Sequence, residues 1–206
     1  GGRSEASAAA SSGAVIRTSI GCSVTVATQT AGGRHGILAR DRRLRNGVEA
    51  MTEVLETEFR AAMRHVASPV AIVTTYVDGR PHGSTVSAFM SLSMEPPMLL
   101  VSLDNRSALL SRLSTGAPLG INILASEQSD IATLFATRGA DRFGAVSWEL
   151  RDGAPALPGT HAWVATRVGS MVVAGDHTLV LADVVGAAHD TREPLVYHQK
   201  IYGTHL

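Results

Sequence analysis

Residues 83–93 read G-S-T-V-S-A-F-M-S-L-S, and this stretch constrains the chain more than any other. Val86, Ala88, Met90, Leu92 and Met94 recur at period two, with Thr85, Ser87, Phe89, Ser91 and Ser93 between them. Successive side chains of a strand point to opposite faces, so the pattern predicts a strand with one apolar face. A half-buried strand usually turns charges to water, whereas this one turns short hydroxyls. Such a face is either a plain Ser/Thr-rich strand that binds nothing, or a wall for a flat, polar-edged ligand that needs hydrogen bonds and close backbone approach.

The flanking segments extend the pattern. Asp78-Gly79 is a strong two-residue hairpin signal joining a β-branched run at 70–77 to the hydroxyl strand. Pro96-Pro97 breaks the chain, and residues 98–103 read as a buried strand. Residues 104–107 lead into a short helix carrying Leu109, Leu110 and Leu113, followed by a strand at 119–124. Ile131, Leu134 and Phe135 mark a second amphipathic helix after Ser126, and Trp148 falls in a short strand. Residues 153–159, with Pro155 and Pro158, read as a loop. Strands at about 161–174 and 177–187 are joined at Gly175-Asp176, and a last strand covers 195–197. Many strands with hairpin connections and few short helices favour a mainly β, antiparallel barrel over a parallel doubly wound sheet.

Composition shifts near residue 50. Residues 1–50 are rich in Gly, Ala, Ser and Arg, and contain no Phe, Tyr or Trp. They are expected to form a disordered or weakly structured extension, a tail or the product of an over-called start codon, with the folded domain at 51–206. Thr52 is the expected N-cap of a helix whose Leu55, Phe59, Met63 and Val66 repeat at helical spacing, and Pro69 stops it. Acidic and basic residues number 18 each, so no net field favours nucleic acid or an anionic membrane surface. The single cysteine, Cys22, forms no internal disulfide, and no apolar run is long enough to cross a bilayer. A cytoplasmic location is expected.

Several catalytic signatures are missing. The sequence has no dinucleotide-binding G-x-G-x-x-G after a strand, no P-loop, no H-E-x-x-H or Cys/His cluster for a metal, and no G-x-S-x-G elbow. Two local features remain. Asp104-Asn105-Arg106-Ser107 at a helix start could hold a phosphate through main-chain N–H groups, the Ser107 hydroxyl and Arg106, with the Asp104 carboxylate turned away. Asp104 or Asn105 could equally be plain N-caps. Gly175-Asp176-His177 is a tight turn that either places an imidazole over a ligand or is a hairpin with a tolerated histidine.

Read in order, the segments form a series. Ser68-Pro69-Val70-Ala71-Ile72-Val73-Thr74-Thr75 precedes Asp78-Gly79-Arg80-Pro81-His82-Gly83-Ser84-Thr85-Val86-Ser87-Ala88-Phe89. Ser93-x-x-Pro96-Pro97, Ser102-Leu103-Asp104-x-x-Ser107 and Gly120-Ile121-Asn122-Ile123-Leu124 follow. Phe135-Ala136, Asp141-Arg142-Phe143, Gly175-Asp176-His177 and Pro194-Leu195-Val196-Tyr197 close it. This series, over roughly residues 55–205, resembles the short-chain flavin reductases, the reductase components of two-component flavin-dependent monooxygenases.

The resemblance implies an FMN-binding split β-barrel with a few short peripheral helices. It also implies a homodimer with flavin sites near the subunit interface, FMN or FAD as flavin, and NADH or NADPH as hydride donor. Reduced flavin would diffuse to a partner monooxygenase. Residues 84–89 (Ser84, Thr85, Val86, Ser87, Ala88 and Phe89) would lie along the flavin. Ser102, Leu103, Asp104 and Ser107 would help hold the ribityl phosphate, and Asn122 would lie near the flavin. Arg142 and Phe143 would contribute near the phosphate end or from the partner subunit, and His177 would face the nicotinamide or flavin as the catalytic group. Hydride transfer between two cofactors needs stacking and exclusion of side reactions rather than a strong acid or base, which agrees with the missing triad. A site of neutral hydroxyls, with Arg106 the one nearby cation in sequence, predicts moderate affinity and a diffusible flavin. Other readings are a split-barrel flavoprotein that reduces ferric iron or a corrin, a flavin oxidase, or a dimeric flavin-binding module without nicotinamide activity.

Overall fold

The computed structural model describes residues 37–204, with side chains from residue 51 onward. Helix α1 (Ile37–Arg64) is followed by β1 (Ser68–Pro69), β2 (Ala71–Val77), β3 (Arg80–Val86), β4 (Phe89–Met94), β5 (Pro97–Asp104) and β6 (Pro118–Ile123). Helix α2 (Ser129–Ala136) comes next. The chain then forms β7 (Glu149–Arg151), β8 (Ala154–Ala156), β9 (Ala162–Ala174), β10 (His177–His189), β11 (Val196–His198) and β12 (Ile201–Gly203). Two units divide the chain, Gly1–Glu53 and Val54–Leu206, and the second carries every described strand.

The main sheet has seven strands in the order β3-β2-β6-β9-β10-β5-β4, and every neighbouring pair is antiparallel. Its two edge strands, β3 and β4, are consecutive in the chain and separated only by Ser87 and Ala88. A sheet whose first and last strands are joined by two residues must curl until its edges approach, and the seam between them is where the barrel splits. The Ser102 N–H donates to the Ala88 carbonyl at 2.8 Å, which pins the crossing segment to β5. The period-two stretch is therefore not one strand but two, bent at the seam. Val86 is buried, whereas Met90, Leu92 and Met94 of β4 are exposed. The apolar face predicted from alternation turns inward only in its first part.

The β2–β3 hairpin follows its turn chemistry. Val77 pairs with Arg80, and the two loop residues, Asp78 (φ 52°) and Gly79 (φ 72°), both take the left-handed conformation that a two-residue hairpin requires. Strand β2 is buried on both faces. Ala71 and Val73 join the barrel interior with Val101, Leu119, Ile121 and Val180, while Ile72 joins a second cluster with Leu124, Phe135 and Leu195 under α2. Phe135 is fully buried, and a side chain of that size contributes about 1.5–3 kcal/mol by leaving water.

Several expectations need correction. Thr52 does not cap a helix start: α1 begins at Ile37, so Thr52 lies in its interior and part of the expected weakly structured extension is helical. The stretch from residue 37 is rich in Leu, Ala and Arg, all good helix formers. Residues 1–36 lie outside the described residues. The predicted helix at Leu109–Leu113 is a single 3-10 turn, Leu110–Arg112. The predicted loop at 153–159 contains β8, which pairs with β7 just after Trp148. Leu55, Phe59 and Met63 share one face of α1, and that face is exposed.

Candidate functional site

A cleft of about 830 Å³ opens at the barrel seam. Its floor is the hydroxyl ribbon Ser84, Thr85, Val86, Ser87 and Ala88. Ser102, Leu103, Asp104 and Ser107 form one wall, where β5 runs into the following turn, and His177 at the start of β10 joins them. Arg142, with Arg138 and Ala140 from the loop after α2, also lines the cleft. Eleven of the fourteen residues predicted for the site thus converge from segments spread along the chain.

The hydroxyl ribbon is set by local packing. Gly83, just before it, has no room for a side chain: a Cβ there would lie 3.0 Å from the Phe135 ring and 3.1 Å from that of Phe143. The bare backbone lets the two rings meet edge to face at 5.1 Å above it. The Gly83 carbonyl accepts a 2.7 Å hydrogen bond from Arg142 Nη1, and Arg142 Nη2 donates to the Thr137 carbonyl at 2.8 Å. These bonds hold the guanidinium at the cleft wall. Its Nε is buried and has no acceptor, and burial pushes the Arg142 pKa down. Thr85 Oγ1 donates to the Ala132 carbonyl of α2, so this hydroxyl braces the ribbon against the helix.

The rim by Asp104 is charged but internally matched. Asp104 accepts from Arg106 Nε at 3.1 Å and Nη2 at 2.7 Å, and from the Arg106 N–H at 2.7 Å. Those hydrogen bonds hold the Asp104 carboxyl far below the usual carboxylate range. Arg106, expected as the local phosphate cation, is thus committed to Asp104, and Arg142 and Arg138 bring positive charge from a segment remote in sequence. Ser107 closes the turn: its N–H donates to the Asp104 carbonyl at 2.8 Å. Across the sheet, His177 Nδ1 meets Asp176 Oδ1 at 2.7 Å. That hydrogen bond lowers the Asp176 pKa.

Three predicted residues lie elsewhere. Asn122 is fully buried and does not line the cleft. Its Nδ2 donates to the carbonyl of Ile72 at 3.0 Å and that of Pro155 at 3.3 Å, and its Oδ1 accepts from the Leu157 N–H at 2.7 Å. It fastens β2 and the β8 segment to β6, because a buried amide must satisfy donors and acceptor within the core. Phe89 packs against the barrel core. Phe143 lies beyond Arg142, edge-on to Phe135 and Trp148, and lines an adjoining hollow. The sequence reading missed Ala136, Arg138, Gly139 and Ala140, which also line the cleft. Two arginines four residues apart around a glycine, just past a helix end, were the available signal.

The arrangement can seat a planar ligand on hydroxyls and backbone, with a guanidinium and an imidazole in its lining. It carries no nucleophile–base pair. Among the described residues, no helix is long and apolar enough to cross a membrane.

A family model described as "Flavin reductase like domain" matches residues 63–205. The chain is 38% identical over 148 residues to the reductase component of a 4-nitrophenol 4-monooxygenase/4-nitrocatechol 2-monooxygenase from Rhodococcus opacus, covering 72% of this chain and 80% of that protein. It is 34% identical over 161 residues to an NADH:FMN oxidoreductase of Rhodococcus qingshengii, covering 75% and 84%. Among solved structures, the styrene monooxygenase flavin reductase from Pseudomonas putida S12 superposes with a TM-score of 0.66 at 30% identity, covering 71% of this chain and 96% of that one.

Proposed function

The chain belongs to the flavin reductase-like domain family, and from that premise we propose that it is an NAD(P)H:flavin oxidoreductase that supplies reduced FMN or FAD to a partner flavin-dependent monooxygenase. The observation that carries this reading is the convergence of the hydroxyl ribbon, the Ser102–Ser107 wall, Arg142 and His177 on one cleft. The reductase domain is assigned to residues 51–206, in the cytoplasm.

The residues present fit a flavin. The cleft wall offers hydroxyls of Ser84, Ser87, Ser102 and Ser107 to a polar ring edge and ribityl chain. Strand β3 is an edge of the sheet, so it also carries main-chain groups that no neighbouring strand takes up. Arg142, with a buried Nε lacking an acceptor, suits the flavin phosphate. When bound, the flavin supplies the hydride acceptor and the reduced nicotinamide supplies the hydride. The protein's work is positioning. Asp176 holds the His177 ring by Nδ1, so the imidazole stands at the rim in a defined orientation. There it would be placed to orient a nicotinamide and to offer a hydrogen bond to the flavin edge that becomes more negative on reduction.

A homodimer completes this reading. Strand β4 is a sheet edge whose Met94 and Met90 are 79% and 58% exposed. Strand β9 also runs past β6, whose pairing ends at Arg167, and leaves Val172 and Val173 exposed. Open edges bearing apolar side chains favour burial against a second copy.

The test is absorbance at 340 nm with the protein, a reduced nicotinamide and FMN or FAD. Turnover that requires flavin is expected. No oxidation with either nicotinamide and either flavin would leave a binding module without reductase activity.

A further inference from the structure

We propose that the flavin cleft continues into a second, cationic chamber that takes the adenylate half of a flavin dinucleotide, so that the protein prefers FAD to FMN. The proposal rests on the reading that the cleft holds a flavin. The chamber has a volume of about 370 Å³, and Arg80, His82, Arg112, Asp141, Arg142 and Phe143 are among the residues that line it. Ala108, Leu109, Ala140 and Arg142 line both spaces, so the two hollows share a wall.

Three segments run from one space into the other. Residues 80–83 of β3 line the chamber and residues 84–86 line the cleft. At about 3.3 Å per residue, the strand provides roughly 13 Å of wall between Ser84 and Arg80. That is the scale of the adenosine monophosphate that FAD carries beyond the phosphate of FMN. The turn after β5 makes the same passage, since Ser107 lines the cleft while Ala108 and Leu109 line both. Arg142 stands at the junction, where the first phosphate gives way to the second.

The charge of the chamber fits that ligand. Three guanidiniums and an imidazole face one carboxylate, in a chain of zero formal net charge. The carboxylate is turned to its own loop, where Asp141 Oδ1 accepts from the Gly144 N–H at 3.1 Å. Among the described residues, neither Arg80 nor Arg112 forms an ion pair, unlike Arg106. Unpaired guanidiniums beside a hollow match the geometry of phosphate oxygens. Pro81, Leu109 and Phe143 add apolar surface on which a purine can rest.

Direct titration of the full chain, by calorimetry or flavin fluorescence, tests the proposal with FMN, FAD and 5′-AMP as probes. The comparison is wild type against the Arg80→Ala/Arg112→Ala double variant and against Arg112→Glu; both positions are exposed, so the core is untouched. Wild type is expected to bind FAD about tenfold more tightly than FMN. The variants are expected to lose that advantage while the FMN Kd stays within about twofold of wild type. Binding of 5′-AMP in the presence of saturating FMN, abolished by Arg112→Glu, is also expected. Equal wild-type affinity for FMN and FAD would overturn the proposal, as would variants that weaken both flavins alike. Variants that raise the KM for NADH or NADPH without moving the FAD Kd would give the chamber to the nicotinamide dinucleotide and overturn it too. Failure of either flavin to bind would instead overturn the reading on which the proposal rests.

Discussion

His177 stands directly opposite Asp104 in the β5–β10 register, and each is tied to a charged near neighbour in its own strand or turn. Asp104 is paired with Arg106 and His177 with Asp176, both at 2.7 Å. Asp104 and Arg106 balance each other, so that pair adds no net charge beside the imidazole. Asp176 contacts the His177 ring through Nδ1, and its carbonyl accepts from the Asn105 N–H at 2.9 Å, so it ties the imidazole to the Asp104 turn as a positioning residue.

Replacing His177 with Ala should lower flavin-dependent NADH oxidation by about tenfold or more, equivalent to some 1.4 kcal/mol of transition-state stabilisation. The flavin Kd, measured separately by fluorescence, should change little. An unchanged turnover rate would remove His177 from the site.

Arg142→Ala should weaken FMN binding by roughly 10–100-fold, the range for loss of a hydrogen bond to a charged group. Arg142 also ties the Gly83 and Thr137 carbonyls, so a folding effect must be separated from a phosphate effect. Riboflavin, which lacks the phosphate, provides the control. Its affinity should move far less than that of FMN; equal losses would argue against a phosphate contact.

Asp104→Asn probes the rim through pH. A carboxyl with a depressed folded-state pKa adds stability above its unfolded value, near 3.9, and loses it progressively as pH falls toward the folded value. The Asp104 carboxyl is depressed by the Arg106 hydrogen bonds. The Tm difference between wild type and variant should therefore be largest and constant above about pH 4–5, and narrow steadily below it. Because the pair is solvent-exposed, the difference should also shrink in high salt. A gap that widened in acid would contradict this assignment.

Asn122→Ala should leave flavin affinity unchanged and destabilise the fold. The Leu157 N–H and the Ile72 carbonyl would lose buried partners, at a cost on the order of 2–3 kcal/mol. A Tm lower by roughly 5–10 °C is expected by thermal melt. A large loss of flavin binding at full stability would return Asn122 to the site.

Met90→Glu/Met94→Glu places two charges on the β4 edge. Sedimentation should show a dimer for the wild type and a monomer for the variant, with folded-state circular dichroism preserved. A variant that stays dimeric would move the interface away from β4.

What the sequence determined by itself was local. The Asp78-Gly79 turn and the paired strands around Gly175-Asp176 follow from short-range sterics, and the structure has both. The hydroxyl ribbon was legible for the same reason, because its polar face needs only its own residues to be seen. That β4 turns Met90, Leu92 and Met94 outward depended on the bend at Ser87–Ala88, and that bend exists only because β3 and β4 are opposite edges of one curled sheet. Arg80, Arg112 and Arg142 are scattered in the chain and meet only when β3, the turn after β5 and the loop after α2 are folded together. The burial of Asn122 away from the cleft could not be read in sequence, where a buried amide and a ligand-facing amide look alike; its partners on β2 and beside β8 come from long-range contacts. Tertiary structure decided these points because electrostatics and burial act through space, between residues that chain order keeps far apart.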